Sequence, residues 1–311
     1  MTRSTAMSVL RQNTTGATHK VTCNEMNRLP LRYVLCPIDL SSLSMNSLEW
    51  ANAIARARSA ELRALHVVVT EGLAGLEPSG SRDRGDLMMK LREALIATDS
   101  ENVHTGAAVK RGDPGTQILK FARSLPADVI VMAAAGAERP TRPMGSVTAT
   151  LVARSDCPLL IVPAGRRFDP LTGGAFTRIL CAVDLAPSSM GVIRQALSLA
   201  WETYGHLTFV CVMSGPGPSP SEIRAQLLAA IPPHAHSWCD IELVVAPGEP
   251  ATEIVRVAET ANADILVIGP PRQWTSTTEA VLAKSLCPVL VAHDARPLPY
   301  PTDRAAANAP R

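Results

Sequence analysis

The sequence has 311 residues, which is enough for about two domains of ordinary size. Its 30 lysines and arginines are nearly balanced by 28 acidic residues, so no overall positive charge indicates a nucleic-acid-binding protein. Hydrophobic residues make up 46% of the chain and aromatic residues only 4%, a composition typical of aliphatic parallel strands covered by helices. No run approaches the roughly 18 apolar residues of a membrane helix, so we expect no membrane partner.

The seven cysteines are scattered, without the C-x-x-C spacing of a redox motif or the spacing of a zinc site. Most of them lie in apolar runs, where cysteine behaves as a small hydrophobic residue. We therefore predict reduced core thiols, no protein-bound metal and a cytoplasmic location. Residues 1–28 are polar without the apolar segment of a secretory signal, and residues 295–311 are rich in proline, so both are predicted to be disordered tails.

The first half of the chain alternates apolar runs with helical patterns. The predicted strands are 33–39, 62–69, 107–110, 129–132 and 159–162. The predicted helices cover 48–55, 87–97 and 118–122, and a fourth begins near residue 145. Three serines are candidate caps of the first helix (Ser41, Ser42 and Ser44), Pro114 opens the third, and residues 70–85 are predicted to form a loop. Strands that alternate with helices in this way predict right-handed crossovers and a parallel sheet.

The fourth strand leads into a loop that has the features of an anion site. The loop contains Gly136, Arg139 and Arg142 and ends at Gly145 and Ser146, where the next helix begins. Free backbone N–H groups and the helix dipole favour a phosphate at such a point. A turn glycine followed by an N-cap serine would give the same pattern without a ligand, and the two arginines would then be ordinary solvated charges.

The whole pattern occurs twice. An offset of 145 residues carries Cys36 onto Cys181 and Asp39 onto Asp184. Further segments repeat in the same order: Gly-Asp-Pro at 112–114 and Gly-Glu-Pro at 248–250, the strands after Asp128 and Asp264, and the Cys-Pro pairs at 157–158 and 287–288. Such ordered self-similarity predicts a tandem duplication. The expected domains are 29–164 and 177–294, joined by a linker at 165–176.

These residues resemble the universal stress protein family. The resemblance rests on L-C-P-I-D-L-S after Val34, L-H-V on the second strand, R-G-D-P before the third helix, and the G-S-V-T segment that leads to C-P-L-L-I-V. It implies two tandem flavodoxin-like, Rossmann-like domains, each with a five-stranded parallel sheet of order 3-2-1-4-5 flanked by helices. It also implies ligand binding where the strand order reverses.

The resemblance further implies an ATP site in the first half, with magnesium only as the nucleotide's own ion. The family's loop pattern is Gly, two residues, Gly, nine residues, then Gly-Ser or Gly-Thr. Here Ala133 replaces the first glycine, and eight residues rather than nine separate Gly136 from Gly145. The implied nucleoside contacts are Pro37, Ile38, Asp39, Val67 and Met132. The implied phosphate contacts are Ala133, Gly136, Gly145, Ser146 and Val147.

The second half departs further from the family pattern. Gly269 is kept, but the loop that follows is six residues shorter and begins with Pro270 and Pro271, which lack backbone N–H groups. We therefore expect ATP binding in the first half only. Instead of contacting a ligand, Asp39 and Asp184 could serve as helix-capping carboxylates. The resemblance implies a packing or hydrogen-bonding role for His66.

The chain lacks the sequence motifs of P-loop, dinucleotide-binding and serine-hydrolase sites. We therefore expect a stress-response regulator or sensor rather than an enzyme, with an unknown protein partner. A ligand-free interaction scaffold of the same fold is the alternative, and a slow ATP hydrolase is a third. The short apolar last strands of the two halves are expected to pair within the chain, and a homodimer remains open.

Overall fold

The computed structural model describes residues 31–69, 80–98, 103–135, 144–168, 176–271 and 276–293. In the first half, strands and helices alternate as the sequence pattern predicts. Their bounds are β1 Tyr33–Pro37, α1 Ser42–Arg58, β2 Glu61–Val68, α2 Gly80–Ala97, β3 Thr105–Arg111, α3 Pro114–Ser124, β4 Val129–Ala133, α4 Ser146–Arg154 and β5 Leu159–Val162.

The second half repeats this order. Its bounds are β6 Arg178–Ala182, α5 Ser189–Thr203, β7 His206–Met213, α6 Pro220–Ala230, β8 Asp240–Pro247, α7 Pro250–Thr260, β9 Ile265–Ile268, α8 Ser276–Lys284 and β10 Val289–Val291. A short 3-10 helix over Pro233–Ser237 precedes β8.

All ten strands form one continuous sheet of order β3-β2-β1-β4-β5-β10-β9-β6-β7-β8. Within each half the strands are parallel and follow the order 3-2-1-4-5. The halves join where β10 pairs antiparallel with β5, with Leu290 opposite Leu160. The last strands of the two halves thus pair within the chain, as expected. This pairing satisfies backbone groups that would be exposed at the edge of each half alone.

Helices cover both faces of the sheet, and each face has a hydrophobic core that runs through both halves. One core contains side chains of α1, α5 and α6, among them Leu48, Leu197 and Leu227. The other contains side chains of α3, α4, α7 and α8, among them Leu151 and Val281. Burial of apolar surface on both sides explains why the central strands read as continuous aliphatic runs rather than as alternating patterns.

A buried ion pair also connects the halves. Arg58, the last residue of α1, pairs with Glu202 near the end of α5, and their side chains are 12% and 8% exposed. Two charges so far from water stabilise the fold only as a pair, because either one alone would be buried without compensation.

Trp50 of α1 holds both described ends of the connection between the halves. Its ring lies edge-on to Phe168, at 5.3 Å between centroids, and stacks on Phe176 at 6.1 Å. On the same helix, the Asn46 side chain donates to the Arg166 carbonyl at 2.9 Å and accepts from the Phe168 N–H at 3.0 Å. Phe168 and Phe176 are therefore both held against α1.

Equivalent residues support the backbone in the same way in both halves. The Asp128 carboxylate accepts from the N–H groups of Arg32 and Tyr33, and Asp264 accepts from those of Thr177 and Arg178. Each carboxylate thereby ties the start of one central strand to the start of its neighbour.

The turn before the third helix of each half is also repeated. Gly112 and Gly248 have φ values of 128° and 141°, a region that residues with side chains rarely adopt. Asp113 and Glu249 then cap α3 and α7, each followed by a proline at the first helical position. The R-G-D-P and P-G-E-P sequences are thus explained by folding.

Two local predictions were wrong in their bounds. Helix α2 begins at Gly80, so the second part of the predicted loop at 70–85 is helical. Its first turns carry G-S-R-D-R-G-D, which has no apolar residue to reveal a helical period. Strand β3 covers Thr105–Arg111 rather than 107–110. It is an edge strand with little burial, so its pattern is weak. The two predicted tails lie outside the described residues.

Candidate functional site

The strand order of the first half reverses between β1 and β4, and the predicted site residues lie where these strands end. Pro37 ends β1 opposite Leu65 of β2. Met132 and Ala133 end β4, opposite Ile161 and Val162 of β5. Because parallel strands end at the same edge of a sheet, these residues share one edge, which is where ligands bind in open parallel sheets.

Asp39 lies in a tight turn between β1 and α1. Its exposed carboxylate accepts from the Ser41 N–H at 3.0 Å, and Ser41 is the N-cap of α1, accepting from the Ser44 N–H at 3.2 Å. The candidate capping role of Asp39 therefore belongs to Ser41, one of the three predicted serines. Leu40, between them, has a φ of 64°, an uncommon conformation for a residue with a side chain and one that concentrates near functional sites.

The apolar site residues divide between the two faces of the sheet. Met132 belongs to the core under α3 and α4, and Val67 and Val147 pack against it. Ile38 belongs to the core on the other face. The Nδ1–H group of His66 donates to the Ile38 carbonyl at 2.9 Å, which matches the predicted hydrogen-bonding role. The structure thus places Val67, Met132 and Val147 on one face of the sheet and Ile38 on the other.

The start of α4 is the part of the site suited to an anion. Its N-cap is Gly145, which has no side chain to accept from the first turn, and Ser146 is the first helical residue rather than the cap. The N–H of Gly145 donates to the Ala134 carbonyl at 2.8 Å. The next N–H groups, on Ser146 and Val147, have no acceptor one turn back in the helix, and Ser146 is exposed. These two N–H groups therefore need an acceptor from outside the helix.

Ala133, which replaces a family glycine, is the last residue of β4. It is absent from the described residues with positive φ, so the backbone at this point does not require glycine. Its carbonyl accepts from the hydroxyl of Thr148 at 3.2 Å, and Thr148 is buried. The sequence analysis missed Thr148. Its equivalent in the repeat is Thr278, and the presence of threonine at both positions was the available signal. Gly136, Arg139 and Arg142 lie outside the described residues.

A large cavity lies at the equivalent place in the second half. It has a volume of about 440 Å³ and opens at the ends of β6 and β9. Its walls are mainly aliphatic, with contributions from Val183, Val192 and Ile268, and Gly269 lies at its edge. The sequence did not predict this cavity. The short loop after Gly269 was interpreted only as the loss of a phosphate site, and the cavity depends on how α5, α7 and α8 pack against the sheet.

Asp184 lines this cavity and forms the same turn as Asp39. Its Oδ1 accepts from the Ala186 N–H at 3.4 Å and from the hydroxyl of Ser189, which also donates to the Asp184 carbonyl at 3.0 Å. Ser189 is the equivalent of Ser44, so the link between this turn and the following helix is a repeated feature. The turn explains why both carboxylates are present, whether or not a ligand binds.

Other polar groups offer little chemistry within the described part of the chain. No group of three His, Cys, Asp or Glu side chains there could hold a metal ion, and His234 and His236 lie in the 3-10 helix. The six described cysteines form no disulfide with one another, and burial raises the pKa of the Cys36 and Cys181 thiols. No helix among the described residues is long and apolar enough to cross a membrane.

Comparison with known proteins identifies both halves. The model of the universal stress protein family matches residues 30–163 and 175–293. A universal stress protein of Methanocaldococcus jannaschii is 28% identical over 138 residues, which is 42% of this chain and 80% of that protein.

Two solved structures show the same architecture over most of the chain. A universal stress protein of Archaeoglobus fulgidus has a TM-score of 0.68 at 20% identity, covering 86% of this chain and 97% of that one. A candidate universal stress protein of Pseudomonas aeruginosa has a TM-score of 0.53 at 21% identity, covering 85% and 94%. At these identities the likeness shows the fold. The family match, present twice and in register with the internal repeat, shows that the chain belongs to the universal stress protein family as a tandem of two flavodoxin-like domains.

Proposed function

We propose that the first half binds ATP or another adenine nucleotide, and that binding serves regulation or sensing in a stress response. The observation that carries the proposal is the start of α4. A glycine N-cap gives the first N–H groups of the helix no acceptor from the cap residue's own side chain, at the edge of the sheet where the strand order reverses.

The contrast with four other helices supports this choice, while α5 resembles α4 in that its N-cap side chain makes no such bond. At α1, α3, α6 and α7, the N-cap side chain accepts from a backbone N–H of the first turn, through Ser41, Asp113, Ser219 and Glu249. At α4 the N-cap is Gly145, which has no side chain to accept from the same groups. Val67 and Met132 would pack against the adenine, and the Asp39 carboxylate would accept from a ribose hydroxyl.

Binding without efficient turnover is the proposed activity. Hydrolysis requires a group that positions a water for attack on the terminal phosphate. Among the described residues that directly follow β1 and β4, Asp39 is the carboxylate, and its hydrogen bond to Ser41 assigns it to the turn. A magnesium ion would accompany the nucleotide and be held mainly by its phosphates.

Gly145→Asp tests the proposal. The φ and ψ of Gly145 are −77° and 159°, which aspartate adopts readily, and an aspartate there would cap α4 as Asp113 caps α3. The variant should therefore fold with its stability changed by only a few tenths of a kcal/mol. It should nevertheless bind ATP about 10 to 100 times more weakly, because its carboxylate occupies the N–H groups and repels the phosphates. Isothermal titration calorimetry with magnesium and ATP measures the effect.

Gly217→Asp, at an exposed glycine of the second half where an added side chain meets no neighbour within 4 Å, is the matched control and should leave ATP binding unchanged. If wild-type protein shows no saturable ATP binding, the interaction-scaffold alternative replaces the proposal. If the wild-type protein releases phosphate from ATP and the Gly145→Asp variant does not, the hydrolase alternative replaces the proposal.

A further inference from the structure

The last strand of the sheet, β8, turns a row of backbone groups away from its neighbour β7. The Asp240 N–H donates to the Gly205 carbonyl, just before β7. The Gly248 N–H donates to the Met213 carbonyl at the end of β7. Backbone groups alternate in direction along a strand, so even-numbered residues of β8 face β7 and odd-numbered residues face outward. The outward residues with both an N–H and a C=O group are Ile241, Leu243 and Val245.

These outward groups are complementary to the same groups of a second, antiparallel copy of β8. If Leu243 lies opposite itself across a two-fold axis, Ile241 lies opposite Val245 of the second copy. All three outward residues then exchange both of their backbone hydrogen bonds, which gives roughly six bonds across the axis. The chain already joins its own halves by antiparallel edge pairing, with Leu290 opposite Leu160.

The side chains of β8 are compatible with this register. Those of the three outward residues pack against one core and that of Val244 against the other, so residues that lie opposite each other share a face. Glu242 falls opposite Val244 of the second copy, and Asp240 falls opposite Ala246. Neither carboxylate therefore lies directly opposite another negative charge, which would oppose pairing.

Helix α6 places an exposed apolar side chain beside the same edge. The Nη1 group of Arg224 donates to the outward carbonyl of Leu243 at 2.9 Å, so this side of α6 overlooks the edge. Leu228 lies one turn further along on the same side and is 50% exposed. A two-fold axis perpendicular to the sheet brings α6 of both copies onto one face, where Leu228 is covered. The Leu243 carbonyl has two lone pairs, so it can accept from a second copy while it keeps Arg224.

We propose that two copies of the chain form a dimer through their β8 edges, which joins two ten-stranded sheets into one. Pairing of one surface with itself closes after two copies. The edge at the other end of the sheet suits pairing less well, because β3 carries G-A-A at 106–108, whereas β8 carries I-E-L-V-V at 241–245. Glycine and alanine are depleted in strands, and β-branched residues are enriched. The dimer requires no ligand, so it is independent of the proposed function.

Sedimentation velocity on the full chain across the micromolar range tests the inference, and wild-type protein should show a reversible monomer–dimer equilibrium. Val245→Pro removes an outward donor and leaves the bonds between β8 and β7 intact, a position that proline tolerates on edge strands. The dimer loses one hydrogen bond on each side of the axis, so its dissociation constant should rise at least about tenfold. Ala107→Pro is the matched control on β3, where the His104 carbonyl faces Leu62 and Ala107 therefore faces outward. It should leave the dimer unchanged.

Substitutions of Val244 test the register without changing the backbone. Val244→Lys places a positive charge opposite Glu242 of the second copy, and Val244→Glu places a negative one there. Both put a charge at the same half-buried position, so the difference between them reports the contact across the axis. The lysine variant should dimerise about tenfold more tightly than the glutamate variant, and adding Glu242→Lys to Val244→Glu should restore the dimer.

Three results would each overturn the inference. The first is wild-type protein that stays monomeric throughout the micromolar range. The second is a dimer that Ala107→Pro weakens as much as Val245→Pro does. The third is equal dimer affinity of the Val244→Lys and Val244→Glu variants.

Discussion

In the first half, the chain takes 12 positions from the end of the fourth strand, at Ala133, to the start of the next helix, at Gly145. In the second half it takes six, from Gly269 to Thr275. Outside this loop the halves are closely alike: the same turn after the first strand, the same glycine turn before the third helix, and the same carboxylate between central strands.

The comparison separates residues that the fold needs from residues that are left for function. Ser155 and Ser285 illustrate the first group, since each hydroxyl donates at 2.8 Å to the carbonyl of the cysteine two residues later. The Cys-Pro segment is therefore a folding feature in both halves. The halves differ in the length of the loop that follows the fourth strand, at the edge of the sheet.

The largest expected change in stability is at the Arg58–Glu202 ion pair, which connects the two halves. Glu202→Leu should destabilise the protein by about 3–5 kcal/mol, because it leaves Arg58 charged and buried without a partner. The double variant Arg58→Met with Glu202→Leu should recover most of this loss. Urea unfolding measures both. A loss below about 1 kcal/mol in the single variant would show that water reaches Arg58 and that the pair does not couple the halves.

A smaller effect should distinguish the equivalent carboxylates. Asp128→Ala should cost about 1–3 kcal/mol, since two backbone N–H groups lose their acceptor. Asp264→Ala should cost up to about 1 kcal/mol more, because Asp264 also accepts from the Thr177 hydroxyl and pairs with Arg178. Denaturant midpoints compare the two variants. The reverse order would mean that the side-chain contacts of Asp264 add nothing.

The smallest effect concerns pH and the two helix caps. Hydrogen bonds from the Thr116 side chain and N–H lower the pKa of Asp113, and those from the Thr252 side chain and N–H, with the Ala251 N–H, lower the pKa of Glu249. A lowered folded-state pKa gives stability that is present above the unfolded-state value, about 4, and is lost as pH falls through the folded-state value.

The stability difference between wild type and Asp113→Asn should therefore be constant from pH 7 to about 5 and change in favour of the variant below about pH 4. Glu249→Gln should behave in the same way in the second half. Thermal unfolding across this pH range measures the difference, and a pH-independent difference would contradict the assigned cap contacts.

The sequence predicted the repeat, the strands and the pairing of the last strands, because these depend on local patterns that occur twice. It did not predict the first turns of α2, which carry no apolar side chain, or the cap at Gly145 rather than Ser146. The Arg58–Glu202 pair and the cavity of the second half could not be predicted, since both depend on how helices distant in sequence pack together.

The antiparallel pairing of β5 with β10 has a consequence for how two ligands could influence each other. Since β10 runs opposite to β5, the strands of the two halves end at opposite edges of the sheet. Five strand spacings separate β1 from β6, about 24 Å across the sheet, whereas salt screens charges over about 8 Å at physiological ionic strength. Ligands at the two edges would therefore be electrically independent, and any cooperativity between them would have to pass through the shared backbone ladder and the helices packed on it.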